Sequence, residues 1–123
     1  MNLDNMRSLR LPSIRQEYTF KDSILYALGL GYGTSPLDAQ ELQFVYENGQ
    51  KAVPSQCVVL GYPGFWLQKP ELEVDWVKLL HGEHYFEIHQ PLKPAGSIRS
   101  EHSVPAVDDK GDGKGALVYV EKK

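Results

Sequence analysis

The sequence predicts an α+β fold in which one antiparallel sheet packs on a short helix. Three observations predict it. Helical patterns crowd the first half of the chain and strand patterns the second. A central helical segment breaks early, at Gly61-Tyr62-Pro63-Gly64. Near the end, the glycine-rich run Asp108 to Gly115 separates two apolar stretches in the manner of a β-hairpin.

The elements follow in order. Residues 1–13 are polar and read as a flexible arm before a domain over 14–123. Ile14 to Tyr18 reads as a short strand. Thr19 with Asp22 makes a variant capping box, and Ile24, Leu25 and Leu28 have helical spacing after it. Gly29, Gly31 and Gly33 stop that helix. Asp38 to Glu41 reads as one helical turn, followed by a short strand from Leu42 to Tyr46. Asn48-Gly49 is a turn. Pro54 suits the first turn of a second helix over Val53 to Leu60. Its early end leaves volume beside Tyr62, Phe65 and Trp66.

The stretch from Val74 to Gly96 carries one tryptophan and three histidines. Phe86 and Ile88 alternate with Glu87 and His89, which predicts a strand over 84–89 with one face on a core. Pro91 and the turn Lys93-Pro94-Ala95-Gly96 end it. Gly82 suggests a bulge or a close backbone approach. Ser97 to Val107 reads as one long strand and Ala116 to Val120 as another.

Composition narrows the function. The 123 residues suit one domain, and 41% hydrophobic content suffices for a core. A net charge of −3 without a basic cluster argues against nucleic acid. The apolar runs fall far short of the ~20 residues of a membrane span, so no membrane partner is expected. The N-terminus lacks an apolar signal region. The single cysteine, Cys57, excludes an intramolecular disulfide and favours a reducing, cytoplasmic setting.

No motif for metal or cofactor survives inspection. Strand alternation puts His81 and His89 on one face and His84 on the other, and no pair has zinc spacing. Asp108 to Gly115 fails as a calcium loop, because Lys110 and Tyr119 occupy positions that need oxygen ligands of another kind. Gly29-Leu30-Gly31-Tyr32-Gly33 follows a helix, not the strand a dinucleotide site needs. Cys57, within a predicted helix, reads as a buried inert thiol. His81 and Glu83 flank a glycine and can serve a cleft as acid, base or hydrogen-bond partner, although a solvated pair is the plainer reading. No metal and no cofactor are expected.

Several stretches together resemble one family, the MaoC-like dehydratases or (R)-specific type-2 enoyl-CoA hydratases. They are Tyr18-Thr19 with Ile24 to Gly29, Leu42 to Glu47, Val58 to Gly64, Leu79-Leu80-His81-Gly82-Glu83, and Asp108 to Gly111 with Lys114 to Ala116. The resemblance runs from about Ile14 to the end. It departs at His84, where the family often has Gln.

The resemblance implies a hot-dog fold, an antiparallel sheet wrapped around a short, broken central helix. It also implies that this is an N-terminal unit whose final strands are missing, with an open edge after Val120. In the family, a catalytic Asp and His in a second hot-dog unit polarise the water that adds to a trans-2-enoyl-CoA. The N-terminal unit shelters the acyl chain. The implied partners are an acyl-CoA thioester and that second unit, in cis or in trans, with dimer formation. The implied contacts to substrate are Tyr62, Phe65, Trp66 and Trp76, with His81 and Glu83 at the seam between units. Two other readings are carried: a non-catalytic assembly or regulatory module without ligand, and a self-sufficient hydratase using His81 and Glu83.

Overall fold

The computed structural model describes residues 1–123. Its regular elements run α1 (Leu3–Ser8), β1 (Ile14–Tyr18), α2 (Phe20–Gly29), α3 (Ala39–Val45), β2 (Gly96–Ser100), β3 (His102–Asp109) and β4 (Ala116–Lys122). Short 3-10 turns lie at Pro54–Val58, Trp66–Gln68, Pro70–Leu72 and Trp76–Lys78. The mixed α+β class is as the sequence predicts. The strands form two separate two-stranded sheets, β1–β2 and β3–β4, in place of one sheet around a helix. The chain divides into two compact units.

The first unit comprises Met1–Ile14, Tyr62–His84 and Arg99–Lys123. Its core is Met6 and Leu72, both at 0% exposure, with Val107. Residues 1–13, expected as an arm, hold α1. Asn2 caps that helix by accepting from the Asn5 backbone N–H at 3.0 Å. Asn2 N also donates to Leu72 O at 2.8 Å, and Asn5 Nδ2 donates to Glu71 O at 2.7 Å. Two asparagines thus tie α1 to the 70–72 turn and seat Met6 on Leu72, a contact no periodicity within thirteen residues reveals.

The β3–β4 hairpin covers the same core. Its register pairs Val107 with Val118 and Asp109 with Ala116. An irregularity between Ser103 and Ala106 gives β3 one extra residue. Pro105 lies there, where a missing N–H costs no ladder bond. The hairpin loop turns through Gly111, Gly113 and Gly115, all at positive φ, which supplies the chemistry read from Asp108 to Gly115. The expected long strand from Ser97 to Val107 is broken at Glu101. Its two parts, β2 and β3, pair with different partners.

The second unit comprises Arg15–Gly61 and Tyr85–Ile98. Thr19 opens α2 through the reciprocal cap: Oγ1 accepts from Asp22 N at 3.4 Å, and Asp22 Oδ2 accepts from Thr19 N at 2.7 Å. Ser23 and Ala27 form its buried face. Tyr18 OH donates to Lys93 O and Ser23 Oγ to Pro94 O, each at 2.7 Å, so β1 and α2 hold the 93–94 turn.

Three expectations in this unit change. Leu42 to Tyr46 is not a strand, because Asp38 caps a run of good helix formers from Ala39 and α3 propagates through Val45. The helix expected over 53–60 is a 3-10 turn, Pro54–Val58. Val53, Val58 and Val59 are β-branched and Pro54 donates no bond, so no α-helix propagates. The strand expected over 84–89 has no regular structure. Alternation defines two faces, but a strand also needs a neighbour in register, and this segment joins neither sheet. Gly82, expected at a bulge or close approach, has open space about it and no positive φ.

Candidate functional site

The six residues singled out by the sequence all lie in the first unit. Phe65 precedes the 66–68 turn and Trp76 opens the 76–78 turn. Their rings meet edge to face, with centroids 6.0 Å apart at 89°. Both stay open to solvent, Phe65 at 39% and Trp76 at 45% exposure. Tyr62 is more open still, at 61%. Trp66 differs, because it packs against the Met6–Leu72–Val107 core. The Gly61–Gly64 break therefore splits its aromatic neighbours: one faces inward and three remain at the surface.

His81 and Glu83 do not join through their side chains. His81 Nε2 donates to the Glu83 backbone carbonyl at 3.1 Å, which sets the proton on Nε2. The His84 ring lies 5.5 Å from that of His81. The pair is solvent-exposed. No three His, Cys, Asp or Glu side chains gather as a metal site. Cys57, the single cysteine, is half-buried in the 54–58 turn, not fully buried as the sequence predicts.

A cluster the sequence did not suggest lies on the outer face of the hairpin. Tyr119 donates to the Asp108 carboxylate, and the register places the two diagonally across β3 and β4. That bond, with the charge of Asp108, raises the phenol above its ordinary value; burial and the charge of Glu83 add to it. Tyr119 is thus a firmly protonated donor beside carboxylates. The strand period could have shown it, since Asp108 and Tyr119 face one way once the hairpin register is known.

The second unit holds two cavities. The larger, about 780 Å³, is walled by residues 43–44, 50–52, 54 and 88–94, among them Phe44, Lys51, Ile88 and Lys93. The smaller, about 460 Å³, lies between Tyr18 and residues 90–97. The six candidate residues line neither.

Sequence comparison decides the family. The model of the MFE-2 hydratase 2 N-terminal domain matches residues 16–123. The chain belongs to the MFE-2 hydratase 2 N-terminal domain family. Its similarity to the peroxisomal enoyl-CoA hydratase 2 of Arabidopsis thaliana is 34% identity, over 99% of this chain and 41% of that protein. With the peroxisomal multifunctional enzyme type 2 of Mus musculus it is 34%, over 85% of this chain and 15% of that protein. This hydratase-family chain thus spans less than half the length of either relative.

Solved structures agree. Full-length peroxisomal multifunctional enzyme type 2 from Drosophila melanogaster superposes with a TM-score of 0.65 at 36% identity, over 89% of this chain and 19% of that one. A MaoC-like dehydratase from Phytophthora capsici superposes with a TM-score of 0.56 at 20% identity, over 99% of this chain and 48% of that one, which shows a shared fold. No helix of the chain is long and apolar enough to cross a membrane.

Proposed function

We propose that this chain is the acyl-CoA-binding, non-catalytic N-terminal unit of an (R)-specific enoyl-CoA hydratase. The observation that carries this reading is the match to the hydratase 2 N-terminal domain over residues 16–123. In this reading the two small sheets are parts of a hot-dog fold completed by a second unit. That unit supplies the catalytic Asp and His, in the same polypeptide or in a partner, and the assembly is a dimer of hot-dog units. Tyr62, Phe65 and Trp76 form the wall that faces the acyl chain, Trp66 backs that wall from the core, and His81 with Glu83 supplies hydrogen bonds at the seam.

The exposed side chains support it. Trp76, Val77 and Leu80 follow one another with little cover, Leu80 at 89% exposure. Contiguous exposed apolar surface of this kind marks a ligand or partner site. The same surface favours a second reading, a module that assembles with a protein and binds no ligand. For compartment, the sequence points to the cytoplasm and the plant and mouse relatives are named peroxisomal; imaging of the tagged full-length protein decides.

The test is titration of the 123-residue chain with trans-2-decenoyl-CoA by calorimetry, followed by an assay of hydration by the chain alone. Micromolar binding without turnover is the expected result. Turnover by the isolated chain that disappears in His81→Ala would replace this reading with a self-sufficient hydratase. Absence of binding, together with a tight protein partner, would leave the assembly module.

A further inference from the structure

The turn at Asn48-Gly49 serves no part of the function proposed above. It joins the end of α3 to Lys51, and residues 46–49 are all exposed. Gly49 sits at φ 70°, with open space where a side chain would begin. Glycine adopts that left-handed conformation without strain, which is why this pair of residues suits a turn. Neither the Asn48 side-chain amide nor the Gly49 N–H makes a hydrogen bond within the protein.

The chain has three asparagines, and the other two are held differently. Asn2 Oδ1 accepts from Asn5 N at 3.0 Å, and Asn5 Nδ2 donates to Glu71 O at 2.7 Å. Leu3 and Met6 follow them, so a bulky side chain crowds the next peptide nitrogen in each case. Met6 N is also engaged, donating to Asn2 O at 3.0 Å. Only Asn48 combines an open amide with an uncrowded and unbonded nitrogen on the following residue.

We infer that Asn48 is a site of spontaneous deamidation to isoaspartate in the folded protein. The Gly49 peptide nitrogen attacks Asn48 Cγ. The new N–Cγ bond forms as the Cγ–Nδ2 bond breaks, and Nδ2 leaves as ammonia with the proton of the Gly49 N–H. Water then opens the five-membered succinimide. Attack at the Asn48 main-chain carbonyl breaks its bond to Gly49 N and leaves isoaspartate; attack at Cγ leaves ordinary aspartate. The balance is one water gained and one ammonia lost, with one added negative charge, and no other reactant is needed. This chemistry is independent of the acyl-CoA reading.

The isoaspartyl link lengthens the main chain by one carbon inside a turn that closes two bonds. Lys51 N donates to Gln43 O at 2.7 Å, and Gln50 Nε2 donates to Phe20 O at 3.2 Å. The new carboxylate also lies beside Glu47 and just past the C-terminal end of α3, where the helix dipole disfavours negative charge. Isoaspartate at position 48 therefore loosens the attachment of the 50–51 segment to α3 and α2.

The test holds the folded 123-residue chain at neutral pH and body temperature for several weeks, then maps its peptides by mass and retention. The expected result is a gain of one dalton confined to the peptide with Asn48. That product should separate into two forms, the larger of which accepts a methyl group from a protein isoaspartyl methyltransferase. Asn2 and Asn5 should stay intact. Asn48→Gln should show no gain, because its longer side chain would have to close a six-membered ring. A gain seen in urea but not in the folded chain would overturn the inference, since the turn would then protect Asn48. Ordinary aspartate as the only product would overturn the cyclic route, and equal conversion at Asn2 or Asn5 would overturn the choice of site. The aged form, isolated by anion exchange, should unfold at a lower urea midpoint than fresh protein. Asn48→Asp, which adds the charge without lengthening the chain, should stay nearer to wild type. Equal midpoints for aged and fresh protein would overturn the loosening.

Discussion

Tyr18 reaches across 75 residues of chain to hold Lys93: its hydroxyl donates to the Lys93 carbonyl at 2.7 Å, from a position only 5% exposed. The bond closes the second unit, because β1 and the 93–94 turn are far apart in sequence. Burial raises the Tyr18 phenol above its ordinary value, so the folded state favours the protonated donor.

Tyr18→Phe removes that donor and leaves a carbonyl short of a partner. The expected cost is about 1–2 kcal/mol, read as a lower urea midpoint with an unchanged slope. The raised phenol also gives wild type a stability that is whole below pH 10 and is lost as pH rises through the folded value. Tyr18→Phe should lose that part of the alkaline dependence. A variant as alkali-sensitive as wild type would remove Tyr18 as its source.

His102 carries a different pH dependence. Both ring nitrogens are buried without a hydrogen-bond partner, and Lys122 lies opposite in the register. Burial first, and the charge of Lys122 second, lower its pKa. The unfolded chain therefore binds a proton more readily than the fold, and stability falls as pH drops below about 6.5. His102→Phe should flatten melting temperature between pH 5 and pH 7 and leave the pH 8 value level or higher. A profile that keeps its slope would assign the effect elsewhere.

Glu73 ends the 70–72 turn at φ 50° and ψ 37°, the one non-glycine residue at positive φ. A side chain in this left-handed region is strained, whereas glycine adopts it freely. Glu73→Gly is expected to stabilise the protein by up to about 1 kcal/mol, the strain relieved exceeding the added chain entropy. Thermal unfolding at pH 7 checks it, and a lowered melting temperature would show that Glu73 makes good the strain by other means.

The two tryptophans should separate stability from binding. Trp66 packs on the Met6–Leu72 core, so Trp66→Ala is expected to cost about 2 kcal/mol or more. Trp76 is largely open and touches Phe65 by its edge, so Trp76→Ala should cost under about 1 kcal/mol. Under the acyl-binding reading, Trp76→Ala weakens decenoyl-CoA binding while its urea midpoint stays close to wild type. Unchanged affinity in a folded Trp76→Ala would take this residue out of the acyl wall.

Much was legible where the deciding interactions are local. Thr19 and Asp22 are three residues apart, and their cap is as the sequence reads it. The glycines of 111–115 announce their own turn, because the positive φ they adopt is a property of each residue. The family was legible as well, since short stretches in a fixed order carry it without any knowledge of pairing.

The errors have two causes, one local cap that was missed and contacts between residues distant along the chain. Leu42 to Tyr46 has an apolar density that suits strand or helix, and the cap at Asp38 decided for the helix. Residues 84–89 alternate, yet both sheets form elsewhere. Met6 looks like part of a polar arm until Asn2 and Asn5 bond the 70–72 turn.

The sequence by itself determined the Thr19–Asp22 cap, the glycine turn of 111–115, the α+β class and the family, because each depends on residues close together or on their order. Only the tertiary structure decided which strands pair, that Trp66 faces inward while Trp76 does not, and that Lys51 and Lys93 share a cavity wall. The physical reason is the same in each case. Register and burial depend on contacts between residues distant along the chain, and those contacts exist only once the chain has closed on itself.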